Sequence, residues 1–150
     1  MTKRMTENEI RIRIAPTHLR WPPAGTNSVW RRLHECVLKM HDLARAVDVN
    51  CSDVEEKQTL GPKEIERRRI EVAQEARRKL EDFAPLGVAR QAVAAKVNSM
   101  QNQTDLTLQD VQSREKLVKA LHELEAGVGA TERLVLERCK LRDTRRLRYY

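Results

Sequence analysis

Apolar residues recur at steps of four and three through most of this chain, the spacing that lines side chains along one face of an α-helix. Val29, Leu33, Val37, Met40, Ala44 and Val47 form such a stripe, predicting a first helix from 27 to about 49 with Asn27 as its N-cap. A second helix is predicted over about 62–83, opened by Pro62, with Glu64 in the first turn, where the helix dipole favours acid. Its packing seam is Ile65, Val72, Ala76, Leu80 and Phe83. Pro85 separates it from a third helix, about 85–101, carrying Leu86, Ala89, Val93, Val97 and Met100. Thr107 and Asp110 stand in capping positions for a last, long helix marked by Leu117, Leu121, Leu124, Val128, Thr131, Val135 and Cys139. That stripe crosses Gly127 and Gly129 unbroken. It favours one helix with a weak point at the glycines, each costing about 0.5–1 kcal/mol relative to alanine.

Three stretches depart from the helical period. Ile10 to Ile14 alternate with Arg11 and Arg13, a strand pattern that would place Ile10, Ile12 and Ile14 on one face as a pairing interface. A strand there needs a mate from the tail around Leu147 and Tyr149, from 47–49 or from another chain. Residues 16–25, with Trp21-Pro22-Pro23, read as an extended linker, and 50–61 read as a loop. The expected architecture is all-α: an elongated, antiparallel bundle of about four helices over 27–141. It is flanked by a basic, partly extended N-terminal segment, 1–26, and a basic tail, 142–150.

Composition supports helices. Aromatic residues make up 3% of the chain, so the core must come from Leu, Val, Ile, Ala and Met, and a charged content of 34% fits an elongated helical protein. The second helix alone carries seven basic and six acidic groups between Lys63 and Asp82. Spacings of four pair Glu64 with Arg68, Arg67 with Glu71, Glu75 with Lys79, Arg77 with Glu81, and Arg78 with Asp82, so this face neutralises itself. The net charge of +7 resides at the ends. Residues 1–26 carry five basic and two acidic groups, residues 138–150 six and one, and the remainder sums to −1. Arg138, Lys140, Arg142, Arg145, Arg146, Arg148 and Tyr149 thus form a candidate nucleic-acid contact, cations with a ring for stacking. Arg67-Arg68-Arg69 could extend it.

Cys36, Cys51 and Cys139, an odd count without a C-x-x-C pair, read as buried free thiols. With neither a signal-peptide stretch nor a membrane-length apolar run, they point to a reducing, cytoplasmic setting. Gly127-Val128-Gly129 lacks the preceding strand of a nucleotide-binding loop. His34 with His41, and His122 with Glu125, share helical faces, but none of these histidines has the glutamate three residues earlier that di-iron bundle sites require. His41-Asp42, with His18 upstream and Asp105 or Asp110 downstream, resembles the metal-binding dipeptide of HD-type phosphohydrolases, helical enzymes that hold divalent metal for phosphate ester hydrolysis. The resemblance covers a handful of residues and implies a remote alternative, a metal-dependent phosphohydrolase. The leading expectation is a non-enzymatic helical module, without cofactor or metal, that self-associates or docks a protein partner. A nucleic-acid accessory protein using the basic ends is the runner-up.

Overall fold

The computed structural model describes residues 4–25, 28–57 and 59–141. All regular structure among them is helical: α1 (Glu7–Ile14), a 3-10 turn (His18–Arg20), α2 (Ser28–Glu56), α3 (Pro62–Leu80), α4 (Ala84–Gln101) and α5 (Leu108–Arg138). The protein is an all-α bundle. Asn27 and the tail from 142 onward lie outside the described residues.

The alternating isoleucines form α1, not a strand. Thr6 caps the helix by accepting the Glu9 amide, Glu7 and Glu9 occupy the first turn, and Arg11 and Arg13 the last, matching the dipole at both ends. Ile10 and Ile14, four apart, enter the core, whereas Ile12 points outward and is 64% exposed. A single strand would leave a row of amides and carbonyls unpaired, and among the described residues there is no second strand to take them; a helix pairs its own.

The first long helix also runs past its expected end at 49. Cys51 and Val54 continue the Val47 stripe at steps of four and three, and all three are buried. Ser52 and Glu55, which read as loop residues, turn inward to meet Arg138 of α5. In contrast, α3 stops at Leu80, short of the expected 83, and Glu81 is extended. Arg78 therefore pairs back to Glu75, since Asp82 sits beyond the helix. Glu64 and Glu71 take Arg67, and Glu64 also takes Arg68. Pro62 and Pro85 occupy the first turns of α3 and α4, where a missing amide hydrogen costs nothing. A reciprocal box between Thr107 and Asp110 opens α5, which continues through both glycines for 31 residues, roughly 46 Å of helix.

The topology differs from a simple up-and-down bundle. Trp30 near the start of α2 lines a groove with Lys119 and Ala120 of α5, and Cys51 near its end meets Cys139, so α2 and α5 run parallel. Arg69 of α3 reaches Glu55, and Arg90 of α4 reaches Glu125, which makes α3 and α4 one interrupted return path against that pair. The short break at 81–83, with Asp82 in the left-handed region (φ 46°), passes the chain onward without reversing it. Along α2 and α5 lie two core clusters in tandem. One is built on Leu33, Met40, Val93 and Leu124 with Ile10 and Ile14; the other on Val47, Cys51, Ile70, Ala73 and Val135.

Candidate interaction surface and its buried anchors

The linker expected over 16–25 is a strap held by side chains. Thr17 uses both its groups on one carboxylate: its amide donates to Glu123 Oε1 at 2.8 Å and its hydroxyl to Glu123 Oε2. Trp21 Nε1 donates to the Thr17 hydroxyl at 3.1 Å, and the Trp21 ring lies 5.9 Å from that of Trp30. His18 Nε2 is 2.8 Å from His34 Nδ1, and His34 Nε2 is 2.7 Å from the Pro22 carbonyl. A carbonyl only accepts, so His34 carries its hydrogen on Nε2 and presents a bare Nδ1, to which His18 Nε2–H donates. Two imidazole nitrogens remain buried without a partner, His18 Nδ1 and His41 Nε2.

Burial, and then the neighbouring His34, pull the pKa of His18 down from 6.5 to about 4. The unfolded chain therefore takes up this proton at a higher pH than the folded one. The contribution of His18 to stability is complete above pH 6.5 and is lost as pH falls from there through about 4. Urea midpoints measured across this window should fall more steeply for the native protein than for His18→Gln; equal slopes would show that His18 is not held neutral.

Beneath α1 lies a second anchor, built on charge. Arg138 is only 7% exposed; its guanidinium lies 2.6 Å from Asp48 Oδ1, 3.0 Å from Glu55 Oε1 and 2.8 Å from the Ser52 hydroxyl. Burial works against its charge, and the bonds to Asp48 and Glu55 outweigh it. Arg69 shares Glu55, and the Met5 amide donates to Asp48 Oδ2 at 2.9 Å, so four parts of the chain meet here. Cys51 and Cys139 lie beside the cluster with sulfurs 3.5 Å apart. The hydrogen bond from Cys139, together with Arg138, holds the Cys51 thiol below its ordinary pKa; that same bond and burial push Cys139 up. Burial alone carries Cys36 up to about 12.

Arg138 is thus removed from the basic surface expected of it, consumed inside the bundle. Lys140 is exposed just past the end of α5. Arg142, Arg145, Arg146, Arg148 and Tyr149 lie outside the described residues. The proposed strand interface is also replaced, since Ile10 and Ile14 face inward in α1. The metal ligands implied by His41-Asp42 do not converge. His18 bonds to His34, Asp110 is spent in the α5 cap, Asp105 is exposed before it, and no group of three or more His, Cys, Asp or Glu among the described residues is placed to hold a metal ion.

Three large apolar side chains stand exposed on and beside the strap. Ile12 on α1, Leu19 in the 3-10 turn (74% exposed) and Leu38 on α2 (55% exposed) account for three of the six exposed large apolar side chains among the described residues. Leu38 lines a shallow depression with Arg11, His18, His41 and Asp42, joining the edge of α2 to the strap. The signal for this surface was present in the sequence once α1 is read as a helix, because a helical turn must turn Ile12 away from Ile10 and Ile14. Among the described residues no helix is long and apolar enough to cross a membrane. Compared with protein-family models, curated protein sequences and solved structures, the chain matches none.

Proposed function

We propose that this protein is a non-enzymatic helical interaction module, which docks a protein partner or a second copy of itself through the outer face of its N-terminal strap. The observation that carries this reading is the exposure of Ile12, Leu19 and Leu38 on and beside a strap held in place by Thr17, His18 and Trp21. A rigid backing removes the ordering cost that a loose segment would meet on binding, and exposed aliphatic side chains supply the area to bury. The strips of α3 and α5 that a missing partner would have left bare are largely covered, with Ile70, Ala73, Ala76, Leu117, Leu124 and Leu134 all inside. The strap is therefore the better docking face. Three free thiols, two of them 3.5 Å apart, suit the reducing cytoplasmic setting in which we place it.

The test is the triple variant Ile12→Ser, Leu19→Ser, Leu38→Ser, compared with the native chain by light scattering over a concentration series and by chemical cross-linking in cell extract. The native chain should associate or capture a defined protein. The variant should lose that association while keeping its helical circular dichroism. Association unaffected by the three substitutions would refute the reading. The alternative function, recruitment of nucleic acid by the basic ends, is supported by the cationic composition of 140–150. It predicts salt-dependent binding that disappears when 142–150 are removed.

A further inference from the structure

Both tryptophans of the chain, Trp21 and Trp30, line a groove of about 530 Å³ on the opposite flank of the strap, where it passes α5. Its volume is that of a small-ligand site. Trp30 is buried and forms the floor; Trp21, half-buried, forms a wall, fixed in orientation by its indole bond to Thr17. Around these rings stand three exposed cations, Arg20 from the 3-10 turn and Lys116 and Lys119 one helical turn apart on α5. None of the three forms an ion pair among the described residues. The acid lining the groove, Glu123, has both carboxylate oxygens engaged by Thr17. The groove therefore combines a rigid aromatic wall with unspent positive charge.

We infer that this groove binds a nucleotide unit, its base against Trp21 and its phosphate between Arg20, Lys116 and Lys119. The two halves of that ligand match the two chemistries present. A flat ring stacks on indole whatever its sequence, and phosphate oxygens accept from ammonium and guanidinium groups. An aliphatic anion would use the cations and leave the ring idle. A neutral aromatic would leave unused the groove's excess of cations, three against the single carboxylate of Glu123. The groove shares the strap with the docking face proposed above through Arg20 and Trp21, but none of Ile12, Leu19 and Leu38 lines it. Along α5 it also lies well before Arg138, which follows Lys116 and Lys119 by roughly 30 Å of helix.

Because no tryptophan lies elsewhere, tryptophan emission, excited beyond the absorption of Tyr149 and Tyr150, reads this groove alone. The full chain would be titrated with a short oligothymidylate, with thymidine monophosphate and with inorganic phosphate, at low and at physiological salt. Quenching by oligothymidylate and monophosphate alike identifies a free-nucleotide site; quenching by the oligomer alone identifies a single-strand site; either supports the assignment. Lys116→Glu with Lys119→Glu should weaken the quenching ligand by about tenfold or more, and Lys116→Arg with Lys119→Arg should retain it, both with unchanged helicity. No quenching by either nucleotide probe overturns the inference. So does an equal response to inorganic phosphate, or binding that survives the charge reversal and vanishes when 142–150 are deleted.

Discussion

Replacing Arg138 with alanine should lower the unfolding free energy by about 3–5 kcal/mol, the largest loss expected of any single substitution outside the apolar core. The cost comes less from the contact removed than from what stays behind. Asp48 is almost wholly buried, and its two oxygens are satisfied by Arg138 on one side and the Met5 amide on the other. Without the guanidinium an ionised carboxylate sits in the interior with a single donor, and the Ser52 hydroxyl loses its partner as well. Glu55 is better protected, because Arg69 remains bonded to it. Urea denaturation at neutral pH measures the effect directly. The double substitution Asp48→Leu with Arg138→Met should recover much of the loss, because no lone charge is then left inside. A loss for Arg138→Ala of under about 1 kcal/mol, the scale of a surface pair, would mean that water reaches the cluster.

The two glycines of α5 should respond to alanine in opposite directions. In the middle of a helix alanine is normally worth about 0.5–1 kcal/mol over glycine, and Gly129→Ala should yield that gain: the nearest atom to the new methyl is the end of the flexible Arg133 side chain at 3.5 Å. Gly127→Ala should instead lose about 1–3 kcal/mol. Its Cβ would stand 2.8 Å from the Ile14 carbonyl oxygen and 3.2 Å from the end of Met40, so α1 must move away from α5. Thermal unfolding of the two single variants decides the matter. Equal stabilisation of both would show that α1 does not press on α5 at Gly127. On the same face, one turn later, the Thr131 hydroxyl donates back to the Gly127 carbonyl at 2.7 Å.

Where one face of a helix meets the core, the pattern of apolar steps was enough to place it: the stripes of α2, α4 and α5, the prolines opening α3 and α4, and the Thr107–Asp110 box are all local signals. The misread positions share another character. Ile10, Ile12 and Ile14 satisfy a period of two, yet the first and last also satisfy a step of four, and only the absence of a partner strand decides between them. Ser52 and Glu55 look like loop residues until Arg138, more than 80 positions later, is brought against them. Arg138 in turn looks like part of a basic tail until that pairing is known. The groove is of the same kind, because Trp21 and Lys116 meet only through the tertiary fold. Periodicity reports the side a residue faces, whereas chemistry assembled from distant segments leaves no periodic trace.

The bond from Thr17 to Glu123 closes 106 positions of sequence, and the α1 contacts with Gly127 and Glu137 span similar distances. During synthesis the strap emerges early, yet nothing it rests on along α5 exists until most of the chain has been made, a delay of roughly 5–20 s at ordinary elongation rates. Ile10 and Ile14 can meet only α2 in that interval, with the side they turn toward α5 uncovered. The segment of α1 and the strap is thus made well before the surface that seats it, and a nascent chain interrupted before α5 would display those isoleucines to the quality-control machinery as a sign that it is unfinished.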